Sequence, residues 1–176
     1  VDTSGTVQGV YRKIHLFDAD TSDGAYKESD KTDPGNAVCV VPNTPAGTLG
    51  LSICYDLRFP DLYTCLRERG ADVLLVPSAF MPSTGMAHWE ALLRARAIET
   101  QCFVIASAQV GCHVKKRESY GHTMVIDPWG KVLGDLKEQE NTLLIATLDR
   151  SQLDAVRSKM PVWLHRRESV YKAGQL

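Results

Sequence analysis

What this sequence lacks narrows its chemistry. No apolar stretch approaches the roughly 18 consecutive residues a spanning helix requires, and no signal-peptide pattern is visible, so no membrane partner is expected. Charge of one sign is missing too. Lys and Arg number 20 against 21 Asp and Glu, a net −1, which gives no basic field for nucleic acid or an anionic surface. There is no G-x-S-x-G, no phosphate-binding P-loop, no G-x-G-x-x-G and no paired C-x-x-C, so metal and nucleotide chemistry are not expected. Cysteine is sparse: Cys39, Cys54, Cys65, Cys102 and Cys112 are odd in number and lack metal-ligand spacing. That usage fits a reducing compartment, and a cytoplasmic location is expected, with the mitochondrion as the alternative.

What is present is enough for one domain, 1–176, with a true core: 176 residues at 44% hydrophobic content. The chain begins at Val1 in what reads as mid-domain. Val7 to Leu16 alternates apolar and polar, as the second half of a hairpin whose first half would precede Val1. Phe17 to Pro34 reads as an acidic surface loop. Ala37–Val41 and Thr48–Cys54 read as a strand hairpin, Asp61–Arg69 as a helix closed by Gly70, and Ala71–Val76 as a buried strand. Pro77–Gly85 reads as a loop, Met86–Gln101 as a helix and Cys102–Ala108 as another buried strand. Thr123–Ile126 and Val132–Leu136 flank an Asp-Pro-Trp-Gly turn. Asn141–Leu148 is expected as the last strand and Arg150–Lys159 as the last helix, ahead of a polar tail, 162–176, expected at a subunit interface. Alternation of strand and helix predicts an α/β fold.

Cys54 stands out because an apolar run ends on it and polar residues begin at once. A strand-to-helix turn holds a thiol out of the core, where a helix dipole favours the thiolate. Position alone leaves two readings open, a nucleophile or a small buried hydrophobe. Lys13 reads as an outward strand lysine, or as an inward, paired and functional one. Glu28 reads locally as solvated surface. His88, Trp89 and Glu90 start a helix and suit substrate binding, a subunit contact or the helix itself, and His122 reads as a hydrogen-bonded ring entering a strand.

The stretches Tyr11-Arg12-Lys13-Ile14-His15-Leu16-Phe17 and Gly50-Leu51-Ser52-Ile53-Cys54-Tyr55-Asp56-Leu57-Arg58-Phe59-Pro60 resemble the lysine and cysteine motifs of the nitrilase (carbon–nitrogen hydrolase) superfamily. Pro77-Ser78-Ala79-Phe80, Gly85-Met86-Ala87-His88-Trp89, Leu93–Glu99, Tyr120-Gly121-His122 and Asp127-Pro128-Trp129-Gly130 continue the likeness in order along nearly the whole chain. Within the superfamily the chain is similar to the branch of deaminated glutathione amidases, which in some invertebrates is fused to a Fhit domain. The resemblance implies a four-layer α-β-β-α sandwich, N-terminally incomplete here, that forms a homodimer or higher homo-oligomer. It implies a Glu-Lys-Cys triad without a cofactor. Cys54 would be the nucleophile, Lys13 and the Tyr55 backbone N–H the oxyanion stabilisers, and Glu28 the second glutamate that positions lysine and substrate. Phe80, His88 and Trp89, in matching motifs, are read as substrate-binding. The family's general-base glutamate would lie upstream of the lysine motif.

The implied reaction is acylation of Cys54 by a small carboxamide, release of ammonia, and hydrolysis of the thioester. For this branch the leaving amine is cysteinylglycine in place of ammonia, and deaminated glutathione gives it together with 2-oxoglutarate. An omega-amidase acting on α-keto amides is the alternative within the superfamily. Two readings of other classes stand beside it. One is a catalytically incomplete fragment acting as a binding or regulatory partner. The other is a thiol redox protein, which needs a resolving cysteine near Cys54, and no other cysteine has a recognised spacing.

Overall fold

The computed structural model describes residues 1–113 and 117–171. The chain adopts the mixed α/β fold expected. Its frame is a six-stranded sheet in the order β10-β9-β6-β5-β4-β3, built from β3 (Val40–Thr44), β4 (Gly47–Leu51), β5 (Val73–Leu75), β6 (Phe103–Ala106), β9 (Met124–Ile126) and β10 (Val132–Asp135). Strands β4, β5 and β6 run parallel, in the register Leu49 to Val73 to Phe103, and β3, β9 and β10 are antiparallel additions at the two edges. Parallel strands need crossovers, supplied by α1 (Pro60–Glu68) and α2 (Pro82–Thr100).

Both crossover helices lie on one face. Leu62, Tyr63 and Leu66 of α1 and Trp89, Leu93 and Ala97 of α2 close over Leu74, Val104 and Ile126, all buried. On the other face Val73 and Phe103 meet Leu153 of α3 (Arg150–Lys159). Helix α3 is fastened by Arg157, which pairs with Asp72 at 2.8 Å and donates to the carbonyls of Ala71 (2.9 Å) and Gln101 (3.1 Å). Among the described residues the main sheet is thus covered by α1 and α2 on one face and by α3 on the other.

Several local expectations change. Val7–Leu16 forms no strand but an extended arm along the sheet edge, where the Gly35 N–H donates to the Lys13 carbonyl at 2.7 Å. A Cβ at Gly35 would come within 2.1 Å of the Arg12 carbonyl oxygen, so only glycine permits that approach. The expected acidic loop contains a small hairpin, β1 (Asp18–Thr21) and β2 (Gly24–Lys27), and a short 3-10 helix, Glu28–Asp30. Helix α2 starts four residues early, at Pro82, whose fixed φ and missing N–H suit a first helical turn. An unforeseen pair, β7 (Val110–Cys112) and β8 (Glu118–Tyr120), stands apart from the main sheet. Asn141–Leu148 forms no strand, although its side chains alternate: Leu143 and Ile145 are 85% and 89% exposed, while Leu148 packs on the second core cluster.

The described part of the tail folds back on its own chain. The Trp163 indole donates to the Glu99 carbonyl at 3.2 Å, and the Arg67 and Arg166 guanidiniums lie over its ring at 5.2 and 4.3 Å. A last short helix, α4 (Glu168–Tyr171), follows; residues 172–176 of the expected interface tail, and Val114–Lys116, lie outside the described residues.

Candidate active site

The carboxyl ends of β4, β5 and β6 converge, and a cleft of about 1300 Å³ opens there. Its floor comes from the residues that leave each strand: Cys54 after β4, Ser78 after β5, and Ser107 and Gln109 after β6. Ligand crevices of open α/β sheets form at such ends because the loops diverge while the strands are held together.

Cys54 is placed there by backbone bonds that extend the β4–β5 ladder past the strands. The Ser52 N–H donates to the Leu75 carbonyl at 3.1 Å and the Cys54 N–H to the Pro77 carbonyl at 2.9 Å. Cys54 then takes φ +51°, left-handed backbone that a non-glycine residue adopts at a cost of order 1–3 kcal/mol. The turn is tightened into a 3-10 helix, Cys54–Arg58, and α1 follows only at Pro60. The helix beside the thiol is therefore this short one and not the longer helix expected to lend its dipole. Cys54 is accordingly half-buried, packed against the core while it lines the cleft.

The turn is locked by Asp56, whose carboxylate is fully buried. One oxygen accepts from the Ile53 N–H (2.9 Å) and the Tyr11 hydroxyl (2.7 Å). The other accepts from the His15 backbone N–H (3.0 Å) and faces its Nδ1 at 2.8 Å. Burial first, and the Asp56 carboxylate second, push the Tyr11 phenol well above its ordinary range, so it remains a donor. His15 stacks on Phe59 with centroids 3.6 Å apart. Asp56 thus ties the 11–15 arm, which carries Lys13, to the turn that carries Cys54. Sequence reading passed over this carboxylate; its place two residues after the thiol was the available signal.

Lys13 faces inward, its side chain only 11% exposed, which removes the outward-lysine reading. Its Nζ lies 2.5 Å from Glu28 Oε2 and 6.0 Å from the Tyr55 ring centroid. Glu28 is likewise not solvated surface: the same oxygen accepts from the Phe17 N–H at 2.6 Å, which fixes the carboxylate. Lys13, Glu28 and Cys54 line the one cleft.

The other expected site residues lie around its edge or beneath it. Tyr55 and Phe80 line a smaller recess next to Cys54, with the Arg58 guanidinium 5.8 and 5.4 Å from their ring centroids. His88 is exposed on α2, its Nδ1 3.3 Å from Arg58, and does not line the cleft. Trp89 is buried against Phe80, ring centroids 4.7 Å apart, and donates to the His122 carbonyl at 2.8 Å. His122 faces Asp135 at 2.9 Å. Among the described residues no three His, Cys, Asp or Glu side chains are grouped to hold a metal ion, and no helix is long and apolar enough to cross a membrane.

Fold and cleft together define a class: an α/β protein that presents a thiol at a strand end beside a fixed lysine–glutamate pair, an arrangement able to perform nucleophilic acyl chemistry. The chain belongs to the carbon–nitrogen hydrolase family, whose family model matches residues 1–158. It is similar to a deaminated glutathione amidase of Dictyostelium discoideum, 51% identical over 173 residues, covering 98% of this chain and 60% of that protein. It is also similar to the nitrilase and fragile histidine triad fusion protein NitFhit of Drosophila melanogaster, at 49% identity, with 97% of this chain and 37% of that one covered. Among solved structures, the NitFhit protein of C. elegans superposes with a TM-score of 0.86 at 47% identity, over 97% of this chain and 42% of that one. The chain therefore spans 60% or less of the length of each of these relatives.

Proposed function

We propose that this chain carries the nucleophile half of an amidase that hydrolyses a small carboxamide through a Cys54 thioester. The observation that carries the reading is the Lys13–Glu28 pair, partly buried at 2.5 Å in the cleft that Cys54 enters at φ +51°. The Cys54 sulfur attacks the amide carbon, and its proton passes to a carboxylate base that the family places upstream of the lysine motif. The oxyanion is met by the Lys13 ammonium and the Tyr55 N–H, and Glu28 keeps that ammonium aimed. Collapse expels the amine with the proton, and water cleaves the thioester to free the acid and the thiol.

The relatives' names favour deaminated glutathione as the substrate, and hydrolysis of its amide would give 2-oxoglutarate and cysteinylglycine. Self-association accompanies the reading. Met86 and Ile98 of α2 and the adjacent Trp129 are 77%, 44% and 61% exposed, and such apolar side chains suit a second copy. A fused or separate Fhit domain is the partner suggested by the NitFhit relatives.

Release of cysteinylglycine from deaminated glutathione tests the proposal. It is measured on the chain alone and on the chain joined to the remaining part of the Dictyostelium protein. Turnover in the joined form, abolished by Cys54→Ala, is expected; turnover that survives Cys54→Ala would overturn it.

A further inference from the structure

The β1–β2 hairpin walls the cleft without packing into the core. Asp23, Ala25, Tyr26 and Lys27 line the cleft, yet every residue of β2 is exposed. The base of the hairpin is stiff. The Asp18 carboxylate accepts from the Ser29 N–H (3.0 Å) and hydroxyl (2.6 Å). The Glu28 N–H donates to the Phe17 carbonyl at 3.2 Å, and the Glu28 carboxylate accepts from the Phe17 N–H at 2.6 Å. The hairpin and Glu28 are thus one piece, and the seat of its tip decides where the Glu28 carboxylate points.

Asp23 is at that tip, in the two-residue turn between the paired Thr21 and Gly24. Its carboxylate reaches the first turn of α2, 60 residues away in sequence, and accepts from the Ser83 N–H at 3.0 Å and from the Ser83 hydroxyl. Helix α2 has no such group of its own. Its N-cap residue is Met81, which makes no side-chain cap bond, and its first turn holds no acidic residue. The free N–H groups and the positive dipole end of a helix are met best by a carboxylate, and here the hairpin supplies it. On the flank the Tyr26 hydroxyl accepts from Arg117 Nη1 at 2.7 Å, which steadies β2 against the β7–β8 arm and leaves the tip to Asp23.

We infer that Asp23 is a positioning residue of the cleft: by capping α2 it seats the hairpin beside Cys54 and so holds Glu28 against Lys13. It touches no reacting atom. Its effect on turnover rests on the roles proposed above for Cys54 and Lys13; the seating itself needs no turnover to be observed.

Two readouts test it. Labelling of Cys54 by a bulky maleimide, divided by its labelling by iodoacetamide, follows access to the thiol, because thiol reactivity enters both rates. Fully buried Cys102, mapped in the same digest, reports loosening of the whole chain. Asp23→Ala should raise the Cys54 ratio several-fold while Cys102 stays unlabelled. Asp23→Asn, whose side-chain oxygen caps a helix as well as a carboxylate does, should keep the parent ratio. In the joined protein Asp23→Ala should lower kcat about ten-fold or more with a smaller change in KM, since a displaced Glu28 loosens an ammonium used in the transition state. Asp23→Asn should restore it. An unchanged ratio in Asp23→Ala, an equal rise in Asp23→Asn, labelling of Cys102 in step with Cys54, or an unchanged kcat where amide is turned over each overturns the inference. A ratio that responds to Asp23→Ala in a protein that turns over no amide would sink the amidase reading and leave the seating standing. Turnover through Cys54, with ratio and kcat both indifferent to Asp23→Ala, would do the reverse.

Discussion

Asp56 is the side chain on which the cleft depends most, although it does not line it. A fully buried carboxylate that accepts three hydrogen bonds and faces a histidine nitrogen at 2.8 Å leaves several groups unpaired when it is removed. Asp56→Ala should therefore destabilise the chain by about 3 kcal/mol or more, read as a lower denaturation midpoint in urea. Lys13→Ala removes the ammonium proposed to meet the oxyanion, so turnover of the joined protein should fall about 10²–10³-fold while its urea midpoint moves far less. The two effects separate a residue that builds the turn from one that acts in it. In the sequence, Cys54 was legible because an apolar run ends on it, and Lys13 and Glu28 only through the motif likeness. Asp56 was marked only by its place two residues after the thiol, because its partners Tyr11 and His15 lie 45 and 41 residues away.

At the scale of elements, helices and central strands were readable and edges were not. Helix α3 was placed at its observed bounds, since Asp149 caps it by accepting from the Ser151 N–H at 2.9 Å and Pro161 ends it. The same bonds, the Ser151 hydroxyl first, hold the Asp149 carboxyl below its ordinary range. The cap's contribution is therefore complete above the unfolded pKa and is lost as pH falls through the lower folded value. Asp149→Asn should flatten that part of the acid limb of a stability profile followed by circular dichroism. Asn141–Leu148 shows the opposite case. Its alternation is that of a strand, but a strand requires a backbone partner, which periodicity does not supply. Glycine in α2 also has a reason beyond propensity. A Cβ at Gly85 would lie 2.2 Å from the Tyr120 ring, so Gly85→Ala should lower the melting temperature despite alanine's better helix propensity, at a cost of about 1–3 kcal/mol.

For the whole molecule, the sheet and its crossover helices bring three strand ends to one cleft, and the arm at 11–15 delivers a lysine to it from outside the sheet. Exposed Met86, Ile98 and Trp129 lie away from that cleft, so association through them would leave its mouth open. Sedimentation of the joined protein should show a dimer, and Ile98→Glu should shift it toward monomer; a monomer at micromolar concentration in the parent would rule that surface out. The central claim concerns Cys54 itself. Intact-mass and peptide analysis of the joined protein, quenched in acid during turnover of deaminated glutathione, should find the 2-oxoglutaryl group on Cys54 and on no other cysteine. A protein that turns over substrate while its acyl group is found elsewhere, or that turns over equally well as Cys54→Ala, would contradict the account.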